Sequence, residues 1–222
     1  MIDDSIILHR DDPDKDPLIG HVKVTREDWI NVARHILVSE GISQVKILTI
    51  SERLEVSRSS FYWYFESRKD LLAALLDEWE NLNTATLVRH CQMDAKNIGT
   101  AMCNFFRCFI DPDLFDRGLD FAVREWSRRD ENVRSRIDEA DQFRLEAIVT
   151  MFERFNYERY EAECRARILY FMQLGYHALD VNETMDVRMS RLQGYLEGFT
   201  GREISPHDYA SLVEFAQEKG GE

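Results

Sequence analysis

Residues 57–65 read Ser-Arg-Ser-Ser-Phe-Tyr-Trp-Tyr-Phe and end in five consecutive aromatic side chains, Phe61, Tyr62, Trp63, Tyr64 and Phe65. Neither a helix nor a strand turns five successive residues to one side, so these rings must meet two different environments. Ser57 is a good helix N-cap. With Arg58 placed at 0° and roughly 100° added per residue, Tyr64, Phe61 and Phe65 fall between about 240° and 340°. Tyr62, Ser59 and Trp63 fall between about 40° and 140° on the same wheel. The first arc is expected to enter a core and the second to face outward.

The neighbouring sequence supplies that core. Thr25-Arg26-Glu27-Asp28 has the form of a capped helix start, and Trp29, Val32, Ala33, Ile36 and Leu37 follow on one face. Gly41 is expected to stop this helix. A short second helix fits 47–54, with Ile47, Ile50 and Leu54 on one side, and Glu55-Val56 connects it to the third. A fourth opens at Ser67 with Asp70 three residues on. Its apolar face is Leu71, Leu72, Leu75, Leu76 and Trp79, and it is expected to run to about Cys91. Three short helices followed by a long one is the plan of a helix-turn-helix domain.

Beyond it, helices are predicted at 98–110, 113–128, 130–155, 161–180, 184–200 and 206–218, with Asp111-Pro112 as the start of the second of these. The fold class is all-α. Residues 1–22 read as an acidic flexible tail that docks, if at all, through Ile6, Ile7 and Leu8. Residues 23–70 form the helix-turn-helix domain, and 71–222 a helical regulatory and dimerisation domain.

The whole 222-residue chain carries a net charge of −13, but unevenly. Residues 1–20 hold six acids and two bases, and residues 71–222 hold 28 acids and 18 bases. Residues 21–70, with eight bases and seven acids, are the only part that is not acidic. An acidic body turns such a segment toward a polyanion by repulsion elsewhere. No run of about 18 apolar residues and no basic-then-apolar leader is present, so a cytoplasmic chain without a membrane segment is expected. Cys91, Cys103, Cys108 and Cys164 lack zinc-type spacing and read as buried free thiols, with a redox pair of Cys103 and Cys108 as the sharper alternative. No metal or cofactor is expected. The motifs of serine hydrolases, zinc proteases and phosphate loops are absent and the six histidines are scattered, so an enzyme is not expected.

An outward face of Ser, Arg, Tyr and Trp suits a DNA major groove. Arg forks onto guanine, hydroxyls reach phosphates or base edges, and an aromatic edge meets a thymine methyl. Ser59 and Ser60 are small enough to let the backbone approach, and the helix N-terminus offers free N–H groups.

On these residues the segment from about 29 to 76 resembles the DNA-binding domain of the tetracycline-repressor (TetR) family of bacterial regulators. Val56-Ser57-Arg58-Ser59-Ser60-Phe61-Tyr62-Trp63-Tyr64-Phe65, then Ser67-Arg68-Lys69-Asp70-Leu71-Leu72, carries the likeness. Residues 122–133 (AVREWSRRDENV) and Asp141 with Arg144 resemble a segment recurring in many members. The resemblance implies groove contacts from Arg58, Ser59, Ser60 and Trp63, phosphate-side contacts from Tyr62 and Tyr64, and a backbone grip from Arg68 or Lys69. Ser57 joins this set, and Lys46 and Thr49 stand in for the hydroxyl that usually starts the second helix. Glu55 departs from the pattern, occupying the turn position usually held by Gly.

Heptad-like spacing recurs twice in the body: Ile168, Met172, Gly175 and Leu179, then Met185, Met189, Leu192, Leu196 and Phe199. These seams suit a four-helix bundle across a twofold axis, or packing within one chain. The resemblance implies the bundle, hence a homodimer on a near-palindromic double-stranded DNA operator. Met102, Phe105, Phe106, Phe109, Phe121, Trp126, Met151, Phe152, Tyr170 and His177 are candidates to line an apolar pocket for a small apolar or amphipathic effector, or else form solid core. By resemblance the chain is a ligand-released repressor; the alternative is a helical scaffold that has lost DNA binding and acts through protein assembly.

Overall fold

A computed structural model describes residues 24–179, 181 and 183–219; the expected acidic tail lies outside them, and so does the side chain of Met185. Among the described residues there are eleven α-helices and no strand. No helix among them is long and apolar enough to cross a membrane.

Helix α1 (Arg26–Glu40) opens on a capping box. Thr25 Oγ1 accepts from the Asp28 amide at 3.2 Å, and the Asp28 carboxylate accepts from the Thr25 amide at 2.8 Å. It ends at Gly41, whose φ of 82° a residue with a side chain rarely adopts. A 3₁₀ turn (Ile42–Gln44) leads into α2 (Ile47–Arg53), and α3 is a single helical turn (Arg58–Phe61). Helix α4 (Arg68–Trp79) is capped by Ser67, whose hydroxyl accepts from the Asp70 amide. It continues through a wide π turn (Glu80–Thr84) into α5 (Ala85–Gln92). The sequence predicts one uninterrupted helix here. The π turn turns Asn83 inward, where its amide donates to Asp116 O at 2.8 Å and its Oδ1 accepts from Asp116 N.

Helices α6 (Ile98–Ile110), α7 (Arg117–Ser127), α8 (Glu131–Glu153), α9 (Arg159–Ala178), α10 (Met185–Thr200) and α11 (Pro206–Lys219) build the body. Helix α7 corrects the predicted start at 113. Asp111 instead closes a local turn by accepting from Asp113 N, and Asp116 caps the helix by accepting from Leu119 N at 2.8 Å. Helix α9 runs back along α8, and α11 lies on α6.

Two apolar cores result. The first gathers Trp29, Val32, Ile36, Ile50, Leu54, Phe61, Phe65, Leu71, Leu75 and Trp79, and extends through Leu119, Val123 and Trp126 of α7 to Val133, Ile137 and Ala140 of α8. The second joins α5, α6, the rest of α8, and α9–α11. Helix α7 therefore belongs to the core of the helix-turn-helix domain. At its start Gly118 allows the close approach, since a Cβ there would stand 3.0 Å from Val38 of α1.

Between α2 and α3 the chain forms a Schellman turn. The Val56 amide donates to Ser51 O at 3.0 Å and the Glu55 amide to Glu52 O at 3.2 Å. That geometry puts Glu55 at φ 57°, in the left-handed region. A Cβ there costs about 1–2 kcal/mol, of which glycine's greater unfolded-state entropy cancels part. Glu55→Gly is therefore expected to raise unfolding free energy by roughly 0.5–1 kcal/mol. In urea titration the midpoint should rise with an unchanged slope; a lower midpoint would refute the strain.

Candidate nucleic-acid interface

The aromatic run is anchored from one side. Phe61 is fully buried, meeting Trp29 edge-on at 5.3 Å and stacking on Phe65 at the same centroid distance. Tyr64 is half-buried and its hydroxyl donates to Val24 O at 2.6 Å, tying the end of the run to the start of α1. Tyr62 is 61% exposed and Trp63 72% exposed. The division expected from the helical wheel is present even though α3 ends at Phe61. Residues 62–64 are looser turn, but the Phe65 amide still donates to Phe61 O at 3.1 Å, which keeps the periodicity.

Around this run Ser57, Arg58 and Ser59 are exposed and Ser60 is half-buried. Ser57 caps α3 by backbone geometry alone, its hydroxyl lying 2.8 Å from that of Ser59. The Ser60 hydroxyl donates to Ser57 O. Lys46, exposed at the start of α2, donates to Gln44 Oε1; Thr49 is half-buried, and Lys69 is exposed at the start of α4. Arg68 differs from expectation. Its Nε donates to Val45 O at 2.5 Å and its Nη2 to Ile42 O at 2.9 Å, so the guanidinium clasps the turn before α2. Arg68 positions the domain, and of the two expected phosphate grips Lys69 is the one left outward.

The family model of bacterial regulatory proteins of the TetR family matches residues 30–75, the segment just described. By this match residues 30–75 are a DNA-binding domain of the TetR type. Two solved structures align with most of the chain. One is a transcriptional regulator of the TetR/AcrR family, 14% identical, TM-score 0.56, covering 87% of this chain and 97% of that one. The other is GusR of Salmonella enterica, 14% identical, TM-score 0.54, covering 90% and 97%. At that identity they share a fold and nothing finer follows. No protein of reviewed function matches the sequence significantly.

In the helical body, the expected pocket residues do not converge. Met102, Phe105, Met151, Phe152 and Tyr170 are buried in the second core and Phe106 packs against it. Trp126 lies in the first core, and Phe121 is 41% exposed on the opposite face of α7. Phe109 and His177 do meet, at 5.6 Å between ring centroids, with Phe115 beside both. An open cleft of about 340 Å³ lies elsewhere, lined in part by Lys96, Gly99, Phe155 and Arg202.

The expected dimer seams also part company. On α10, Leu192, Leu196 and Phe199 are buried in their own chain's core and Met189 packs against it, because this face of the helix meets α6, α9 and α11. Ile168 of α9 and Leu179 just past its end point outward, 61% and 77% exposed, with Met172 and Gly175 half-buried. Phe171, missed in the sequence, is exposed on α9 as well. Three cysteines are buried and Cys164 is exposed, against expectation. Burial pushes the Cys91 thiol up to about 12, and burial, helped by Asp208, pushes Cys103 to about 11. Such thiols are unreactive at neutral pH.

Where the cores meet lies a buried ionic cluster. Arg144 is fully buried; its Nη1 donates to Asp120 at 2.9 Å and to Tyr170 Oη at 3.3 Å, and its Nε donates to Thr84 Oγ1. Asp120 also accepts from Trp79 Nε1 and Arg124 Nε, both at 2.9 Å. Arg124 continues the chain to Asp141, which accepts from Tyr170 Oη at 2.6 Å. Burial alone would raise the Asp120 pKa. The two guanidinium charges and the hydrogen bonds from Trp79 and Arg124 outweigh it and hold the carboxyl well below the usual range.

Two substitutions separate the faces of the aromatic run. Phe61→Ala should destabilise the protein by roughly 3 kcal/mol or more, through the cavity it leaves among Trp29 and Phe65. Trp63→Ala should leave the melting temperature unchanged and abolish operator binding in a gel shift. Unfolding of the Trp63 variant would reverse the assignment.

Proposed function

We propose that this DNA-binding TetR-family chain acts as a homodimeric transcription regulator, a repressor that a small apolar or amphipathic molecule releases from a near-palindromic operator. The observation that carries the DNA reading is the exposure of Tyr62 and Trp63 on a run whose other rings are fixed in the core. Arg58 and Ser59 stand beside them, with Lys46 and Lys69 at the flanking helix starts, so groove and phosphate groups share one surface. Arg68 takes part by holding the turn before α2 in place.

For the dimer, support comes from the outward face of α9 and the residue that ends it, where Ile168, Phe171 and Leu179 are exposed on either side of Gly175. Helix α10 adds Gly194 and Gly198, at which a Cβ would meet nothing within 4 Å. Exposed apolar side chains beside small residues suit close helix packing with a second copy. Two such copies set their recognition elements to read half-sites about 34 Å apart.

Gel shifts on the chain's own upstream DNA at two salt concentrations test the reading. Each phosphate contact should steepen the fall of log affinity against log salt by about 0.9. Absent or salt-independent binding would favour a scaffold acting through protein assembly. Phe171→Glu should convert the dimer to monomer in analytical ultracentrifugation and weaken operator binding; a dimer that survives it would place the interface elsewhere.

A further inference from the structure

Beside the ionic cluster, two buried donors find no acceptor among the described residues. Arg144 is fully buried and spends Nε and Nη1 on Thr84, Asp120 and Tyr170, yet Nη2 makes no hydrogen bond to any of the described residues. His177 Nδ1 is likewise buried without one. The tautomer follows from its other nitrogen, which lies 3.0 Å from the Gln173 amide nitrogen. Gln173 donates there, so Nε2 accepts and the neutral ring carries its proton on Nδ1. Both orphans are therefore N–H groups. They flank one ring: Arg144 Cζ lies 5.6 Å from the Phe115 centroid and the His177 ring 5.8 Å from it. A buried N–H without an acceptor loses its hydration, and the ring faces that Trp79 and Phe115 offer the Arg144 guanidinium replace only part of it.

The surroundings define what would satisfy them. The unmet need is for acceptors only, and a carboxylate is an acceptor-only group that also carries charge. Phe109 and Phe115, 8% and 2% exposed, supply apolar surface beside the donors.

We propose that Arg144 Nη2 and His177 Nδ1 are the polar end of a binding site for a small apolar carboxylate, whose hydrocarbon part packs on Phe109 and Phe115. This names the chemistry of the effector and rests on the effector reading above. Because the rings are closed to solvent, the acid enters only as neighbouring helices part, so binding favours a state other than this one. The bound carboxylate competes with Asp120 for Arg144. Asp120 and Arg124 lie on one face of α7, while Leu119, Ala122, Val123 and Trp126 on the adjoining face pack into the core of the DNA-binding domain. A shift of α7 thus reaches α1 directly at Gly118 and Val38.

Calorimetric titration of the full chain without DNA, using decanoate and 1-naphthoate beside their methyl esters, tests the site. At least one acid should bind once per chain, with its ester at least about tenfold weaker. His177→Phe keeps a ring on Phe109 and Phe115 while removing the donor. It should weaken the acid by about tenfold and leave the ester unchanged, a split that a packing defect would not produce. Neither acid binding, acid and ester binding alike, or an unaffected His177→Phe variant would each overturn the proposal and leave the two donors to buried water. Operator binding is measured separately without ligand. If a neutral compound releases the operator while the acids do not bind, the effector reading stands and this one falls.

Discussion

A guanidinium with no solvent exposure must be paired inside the protein, and the pairing of Arg144 determines how four parts of this chain meet. Asp120 comes from α7, Tyr170 from α9, Thr84 from the π turn, and the Arg144 side chain itself from α8. Removing one partner of a buried pair costs about 3–5 kcal/mol, because the other charge remains without compensation. The relative placement of these helices is thus fixed more tightly than apolar packing alone would fix it. Trp79 strengthens the arrangement by donating to Asp120 and by lying under the guanidinium, whose Cζ is 5.3 Å from the indole ring.

This cluster sits where the two apolar cores adjoin, so any sliding of one core on the other acts on it. Apolar contacts are non-directional and tolerate small sliding, whereas charge-assisted hydrogen bonds depend on geometry. Movement between the cores must therefore break or exchange specific bonds around Asp120. Helix α7 carries Asp120 and Arg124 on one face and completes the core of the DNA-binding domain with another. It forms a second link to the recognition element, in addition to the continuous run of α4 into α5. The π turn inside that run is held by Asn83 and Thr84, so both links pass through the same polar layer.

The helix-turn-helix was legible because its signals are local. Thr25, Gly41, Ser57 and Ser67 mark ends through bonds to residues a few positions away, and the Phe61, Tyr64, Phe65 arc follows from periodicity alone. Glu55 was recognisable as the residue out of place, and its φ of 57° identifies the strain. Long-range partners were not legible. Arg68 reads as a free cation until Ile42 and Val45 turn their carbonyls toward it. Heptad spacing in α10 indicates an apolar stripe without saying what covers it, and α6, α9 and α11 of the same chain do. Phe121 and Trp126 lie in one aromatic-rich segment yet face opposite ways on α7. Asp111 and Asp116 compete as caps, and the local turn at Asp113 gives the role to Asp116.

Charge distribution completes the account of the recognition face. Acids outnumber bases by ten over residues 71–222, while residues 21–70 are nearly balanced. Within that balance the carboxylates are not spread evenly in their effect. Glu40 is occupied by Arg53, and Asp28 and Asp70 accept backbone amides at helix starts. Arg58 and Lys69, by contrast, stand exposed on either side of the aromatic run. With the excess of acids lying outside residues 21–70, a polyanion is repelled less by this segment than by the rest of the chain. In the proposed DNA reading, Tyr62 and Trp63, the two exposed rings between these cations, supply the shape and chemistry by which sequences are told apart.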